Sequence, residues 1–367
     1  MRHTDTYPVA VFISPHGFGH AARAVAVMEA LYHQMPACSF HVFTRVPKWF
    51  FLDSLTAPFE YHELLTDIGL AQKNPLDEDI SSTVELLKNF LPFRAESIHS
   101  TTHIVQRDGC RIVLCDIAPM GIVVARQAGI PSLLIENFTW DWIYEEYLGD
   151  DARIQPFIRY FHEIFMATDY RIQAEPVGYR RTCDLTTPPV SRAPRRSRQD
   201  TRSALGISDT ERAILITMGG IQSQYSFLEM LTKRDDIRFI IPGGSDTSCR
   251  QDNLILLPHH TPLFHPDLVK SCDAIISKLG YSTVAEVYAA GVPFGYIMRK
   301  RFREAPPLRH FIDSHMAGIE IAEHDFSSGA WLEKIDMLLA LPHRKQPVVN
   351  GAEYCAGFIK QILENQP

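Results

Sequence analysis

No run in this 367-residue sequence approaches the roughly 18 apolar residues that would span a membrane. The opening stretch, MRHTDTYPVAVFIS, has no apolar h-region and leads straight into a strand pattern, so a secretory leader is not expected. Cys-x-x-Cys pairs are absent. The seven cysteines (Cys38, Cys110, Cys115, Cys183, Cys249, Cys272 and Cys355) are scattered and odd in number, which speaks against a disulfide framework and for a reducing compartment. Short-period repeats and low-complexity tracts are also missing. Positive charge is not in excess: 36 Lys+Arg against 43 Asp+Glu give a formal net charge of −7. That balance argues against nucleic acid or an anionic membrane as partner. What is present, 46% hydrophobic and 22% charged residues, describes a soluble globular chain long enough for two cores, and the absences above make a cytoplasmic one the expectation.

Strand-like runs alternate with helical patterns from end to end, the pattern of an α/β protein with parallel sheets. Strands are expected at Val9 to Ser14, Phe40 to Thr44, Arg111 to Cys115 (ending at Asp116) and Pro131 to Glu136. A helical stretch from Ile80 to Val105 is broken near Pro92, and another helix runs from Ile154 to Ala167. Arg180 to Arg202 is rich in proline and arginine and poor in large apolar residues, so it reads as a linker. A second α/β series follows, with strands at Ala213 to Thr217, Arg238 to Ile241 and Leu254 to Leu257. The expected division is a first Rossmann-like domain over 1–183 and a linker over 184–206. A second domain covers 207–345, and a C-terminal helix in 346–367 is placed to pack back on the first.

The second half is organised around SKLGYSTVAEVYAAGVP, Ser277 to Pro293. Ala274-Ile-Ile276 before it is a buried-strand run, Gly280 permits a tight turn, and Ser282 and Thr283 are good N-cap residues for a helix ending at Gly291. A strand, a glycine turn and an open helix N-terminus make an anion site, because the first-turn amides and the helix dipole favour negative charge. Lys278 adds a full positive charge beside the turn, and Glu286 is placed to accept hydrogen bonds from two ribose hydroxyls. The pieces suit a nucleoside diphosphate. The competing explanation is structural: Thr283-Val-Ala-Glu286 spells a capping box in which Glu286 serves only its own helix.

In the first half, Gly17-Phe-Gly19-His-Ala-Ala22 follows a strand and opens a helix, formally a GxGxxA dinucleotide loop. The next strand ends at Arg45 rather than an acid, which at best allows NADP, and His20 intrudes where a pyrophosphate wants bare backbone. The alternative is His20 as a general base, since imidazole has a pKa suited to taking a proton from an alcohol. Asp116, at the end of a buried strand, is placed to orient it. Asp77-Glu-Asp79 spells DxD, a metal-diphosphate pattern, but lies in a charged loop and is discounted. Trp140, Asp141 and Trp142 of NFTWDW either line an acceptor cleft or pack in a core. The run Arg299, Lys300, Arg301 and Arg303 either neutralises a ligand or is a solvated loop.

HGFGHAAR near the start, CDIAPMGIVVARQAGIPS, NFTWDWIY, and Leu257 to Glu304 together resemble nucleotide-sugar glycosyltransferases of the GT-B fold. Among these the chain is most similar to the glycosyltransferase-like N-terminal region of plant L-arabinokinases and its stand-alone bacterial relatives. The resemblance implies two Rossmann-like domains facing across a cleft. It makes His20 the base that deprotonates the acceptor hydroxyl and Asp116 its orienting aspartate. It puts Gly219, Gly220, Lys278, Gly280, Ser282 and Thr283 near the donor diphosphate, His259 near the base and ribose, Glu286 on the ribose and Glu304 on the donor sugar. Gly17, Gly19, Asn137 and Trp140 fall to the acceptor side. The chain departs from plant enzymes at Ala305, where glutamine usually follows the acid, and at Leu256, where tryptophan commonly stacks on uracil.

The expected activity is inverting transfer of a sugar from a nucleotide diphosphate sugar, with UDP the expected nucleotide, without a metal ion or other cofactor. Partners are that donor and an acceptor of open identity, with no nucleic acid and no membrane span; peripheral membrane contact is left open. Two alternatives stand beside it: a silent nucleotide-sugar binding or regulatory protein, and an epimerase or hydrolase on the same fold.

Overall fold

A computed structural model of the chain describes residues 6–74, 76–219, 225–344 and 349–366. The chain forms two compact units: Met1–Ser191 with Arg301–Glu304 and Val349–Pro367, and Arg192–Lys300 with Ala305–Val348.

The first unit holds strands β1 (Tyr7–Ile13), β2 (Cys38–Thr44), β3 (Phe59–Glu63), β4 (Ile112–Asp116), β5 (Ser132–Glu136), β6 (Tyr170–Ala174) and β7 (Leu185–Thr187). They form one seven-stranded sheet in the order β3-β2-β1-β4-β5-β6-β7, every pair parallel. Every residue of β4 and β5 is buried, as expected of parallel strands covered by helices on both faces. The chain builds outward from β1 to β3 and then returns to β4 on the other side. At such a reversal the strand ends leave a crevice. Ile13 and Asp116 are register partners there, so the loop after β1 lies beside the end of β4. The helix Phe18–Gln34 that follows β1 packs beside the C-terminal helix Gly351–Glu364, and Gln34 Nε2 donates to Glu353 Oε2 at 2.8 Å.

The second unit repeats the plan with β8 (Arg212–Thr217), β9 (Ile237–Pro242), β10 (Cys249–Gln251), β11 (Leu254–Leu257), β12 (Ala274–Lys278), β13 (Phe294–Ile297) and β14 (Gly318–Glu320). Their order is β10-β11-β9-β8-β12-β13-β14, parallel except for the edge pair of β10 with β11. The reversal here falls between β8 and β12.

The boundary between the units falls inside 184–206, at Ser191 and Arg192, and two local details differ from the sequence reading. The stretch 184–206, taken as a linker, carries β7 and the helix Arg198–Ala204, which Ser197 caps by accepting from the Asp200 amide. The helix after β12 begins at Tyr281 with Gly280 as its N-cap and no side-chain cap, so Ser282 and Thr283 lie inside its first turn. Among the described residues no helix is long and apolar enough to cross a membrane.

Candidate functional site

Gly17, at φ 75° in the left-handed region, turns the chain from the β1 loop into the helix Phe18–Gln34. His20 is the third residue of that helix, and Nδ1 of its inward-facing ring lies 3.0 Å from Asp116 Oδ1. Arg23, three residues on and so on the same helix face, grips the same carboxylate: Nη2 donates to Oδ1 and Nε to Oδ2, each at 2.7 Å. Its remaining Nη1 donates to Asn137 Oδ1 at 2.6 Å, and Asn137 Nδ2 donates to Glu304 Oε1 at 2.6 Å. All five side chains are buried, His20 least so at 9% exposure.

Electrostatics set the proton inventory. Burial pushes Asp116 up, but the Arg23 guanidinium and the His20 hydrogen bond outweigh it and hold the carboxyl below its ordinary range. Burial also pulls His20 below 6.5; Asp116 opposes that and Arg23 adds to it. An ionised Asp116 beside a neutral imidazole fixes the proton on Nδ1 and the lone pair on Nε2. That is the state a general base needs.

Next to this network Ser14 Oγ donates to Asp67 Oδ1 at 2.9 Å. Burial raises Asp67 to about 7, against the lowering effect of Ser14 and of the Trp140 indole. Even so, neither Trp140 Nε1 nor Asp67 Oδ2 makes a hydrogen bond of good geometry. Trp140 itself is fully buried, stacked on Tyr144 with ring centroids 5.8 Å apart and edge-on to His16 and His20. Asn137 is equally buried. Of the residues expected on the acceptor side, Gly17 is exposed and Gly19 half-buried.

In the second unit the ends of β8 and β12 bring Gly219 and Lys278 together. Gly219 has φ 69°, and a Cβ on it would lie 3.1 Å from Lys278 Cε. Gly280 and the first turn of the Tyr281–Ala290 helix follow directly. Gly220 lies outside the described residues. His259 is exposed after β11, near the Gly243 turn that ends β9. Glu286 does not cap its helix: Oε1 accepts from Arg192 Nε at 2.9 Å and Oε2 lies 2.7 Å from His265 Nδ1. Burial pushes the Glu286 carboxyl up, and Arg192 and His265 more than reverse it. The arginines Arg192 and Arg195 both lie over the Phe264 ring, at 5.0 and 4.4 Å from its centroid.

The remaining motifs resolve into structure. Asp79 caps the helix Ile80–Phe90 by accepting from the Ser82 amide, and Asp77 pairs with Asn74. In the basic run, Lys300 pairs with Glu323, Arg301 with Asp150 and Arg303 with Glu145. The residues that sequence reasoning missed are Arg23, Arg192 and His265. Only Arg23 had a local signal: an arginine three residues from His20, set among alanines and valines.

No protein-family model matches the chain. Over 359 residues, 96% of the chain, it is 26% identical to L-arabinokinase of Arabidopsis thaliana, and it spans about a third (34%) of that protein's length. Among solved structures it is similar to a UDP-glucosyltransferase from Polygonum tinctorium (TM-score 0.64, 13% identity, 99% of this chain and 100% of that one). It is likewise similar to the spinosyn forosaminyltransferase SpnP (0.61, 17%, 99% and 96%) and to Arabidopsis thaliana UGT89C1 complexed with UDP (0.59, 11%, 98% and 100%). The chain has the GT-B glycosyltransferase fold and is a distant homologue of L-arabinokinase over nearly its whole length.

Proposed function

We propose that the protein transfers a sugar, with inversion, from a nucleotide diphosphate sugar to an acceptor hydroxyl, UDP being the favoured nucleotide. The observation that carries this reading is the buried His20–Asp116 contact at the β1/β4 reversal, on a glycosyltransferase fold. As the acceptor oxygen attacks the anomeric carbon, its proton passes to His20 Nε2, and the bond from that carbon to the diphosphate oxygen breaks. Asp116 keeps the ring in the productive tautomer and stabilises the imidazolium that forms. The departing diphosphate is held by Lys278 and the first-turn amides of the Tyr281–Ala290 helix, which carry its charge without a metal ion. Glu286 receives the ribose hydroxyls. Each of its oxygens accepts one hydrogen bond from the protein and keeps a second lone pair. Glu304, joined to Asn137, belongs to the donor-sugar contacts, and Gly17 and Gly19 border the acceptor.

The test is a product assay with nucleotide sugars and a panel of hydroxyl acceptors. Transfer by the wild type should fall by about 10²–10⁴ in His20→Ala, the usual worth of a general base. Full activity in that variant removes the base assignment. Donor binding without any product supports a silent binding protein, and product without acceptor supports an epimerase or hydrolase.

A further inference from the structure

Strands β2 and β3 of the first unit assemble a second cluster that shares no residue with the His20–Asp116 network. His41 and Glu60 are register partners on these parallel strands, and Glu60 and His62, two apart on β3, point to one face. His41 Nδ1 and His62 Nε2 lie 3.3 Å apart. Glu60 Oε2 is 3.9 Å from the first nitrogen and Oε1 3.8 Å from the second. Asp108, just beyond the helix Ala95–Arg107, brings Oδ2 to 3.6 Å from His41 Nδ1.

Two nitrogens bound at about 2.05 Å to a tetrahedral zinc ion stand about 3.3 Å apart, which is the spacing found here. The carboxylate oxygens are a few tenths of an ångström farther out than such a shell requires. The Glu60 side chain is 59% exposed and has room to swing inward. The His62 imidazole is held more firmly: it stacks on Phe43 at 4.4 Å, and Phe43 on Phe12 at 4.6 Å. Arg107 donates to both oxygens of Asp108 at 2.7 Å, so Asp108 is the ligand most contested by a neighbour. Two imidazoles with carboxylates suit a borderline cation such as zinc over a hard one such as calcium.

We propose that His41, His62 and Glu60, with Asp108 closing the shell, bind a zinc-class divalent cation that clips the edge strand β3 to β2. Calorimetric titration of the full chain with Zn²⁺ alone should show one site lost on His41→Ala or His62→Ala. The affinity should fall roughly 100-fold, at least what loss of an outer-shell partner costs. Zn²⁺ should raise the thermal midpoint of the wild type and not of these variants, and Co²⁺ should give the intense visible bands of a tetrahedral site. Glu60→Gln, at an exposed position, removes a ligand while leaving the fold intact, and should also weaken binding. Absence of Zn²⁺ binding by the wild type overturns the proposal. So does binding of unchanged stoichiometry and affinity in the folded variants.

Discussion

Arg23 changes what the His20–Asp116 pair is able to do. Its guanidinium grips both oxygens of Asp116; burial, the largest influence, pulls His20 below its ordinary value, Asp116 opposes that, and Arg23 adds the smallest lowering. The acid limb of the kcat/KM profile for transfer should therefore lie below the ordinary histidine value of 6.5. A limb at or above that value would contradict this picture. Asp116→Asn should lower kcat by about 10²–10⁴ while leaving nucleotide affinity unchanged in calorimetry, because the proposed nucleotide-binding residues Lys278, Gly280 and Glu286 belong to the other unit. Asp67 gives a stability test of opposite sign to most acids. Its folded pKa, about 7, lies above the ordinary 3.8. Between those values the folded state holds a proton that the unfolded chain has released, so the group's contribution to stability falls as pH rises through that window. Asp67→Asn should gain stability relative to wild type at about pH 8 compared with about pH 5, by ~1–4 kcal/mol. Denaturant unfolding at the two pH values measures it, and no pH dependence of the difference would refute it.

Among the elements, the interior strands were the legible ones. VAVFI of β1, IVLC of β4 and AII of β12 are continuous apolar runs because helices cover both faces. Edge strands were not: β3 reads FEYHE, half exposed and charged, and β7 is three residues inside a proline- and arginine-rich stretch. Within the candidate site, the local features were legible: the His20–Asp116 contact and the Gly280 turn. Arg192 and His265 became partners of Glu286 only through tertiary folding, which no spacing along the chain encodes, and Trp140 carried no mark separating a cleft residue from a core one. Gly291, which closes the Tyr281–Ala290 helix, gives the element-scale test. It has φ 68°, and a Cβ there would fall 2.2 Å from the Arg344 carbonyl oxygen. Gly291→Ala should destabilise the second unit by about 1–3 kcal/mol, read as a lower urea midpoint. An unchanged midpoint would mean that the 344 segment yields freely.

For the whole molecule, the proposed nucleotide-sugar recognition rests on two reversals of strand order, one beside His20 and Asp116 and the other beside Gly219, Lys278 and Gly280. A thermal-shift screen of UDP, GDP, ADP, dTDP and their sugars against wild type and Glu286→Ala addresses it most directly. A nucleotide at about 100 times its Kd adds about 2.7 kcal/mol to the folded state, enough to move a midpoint by several degrees. UDP or a UDP-sugar should stabilise the wild type, and the shift should be lost in Glu286→Ala. No response to any nucleotide, or an equal shift in the variant, would contradict it.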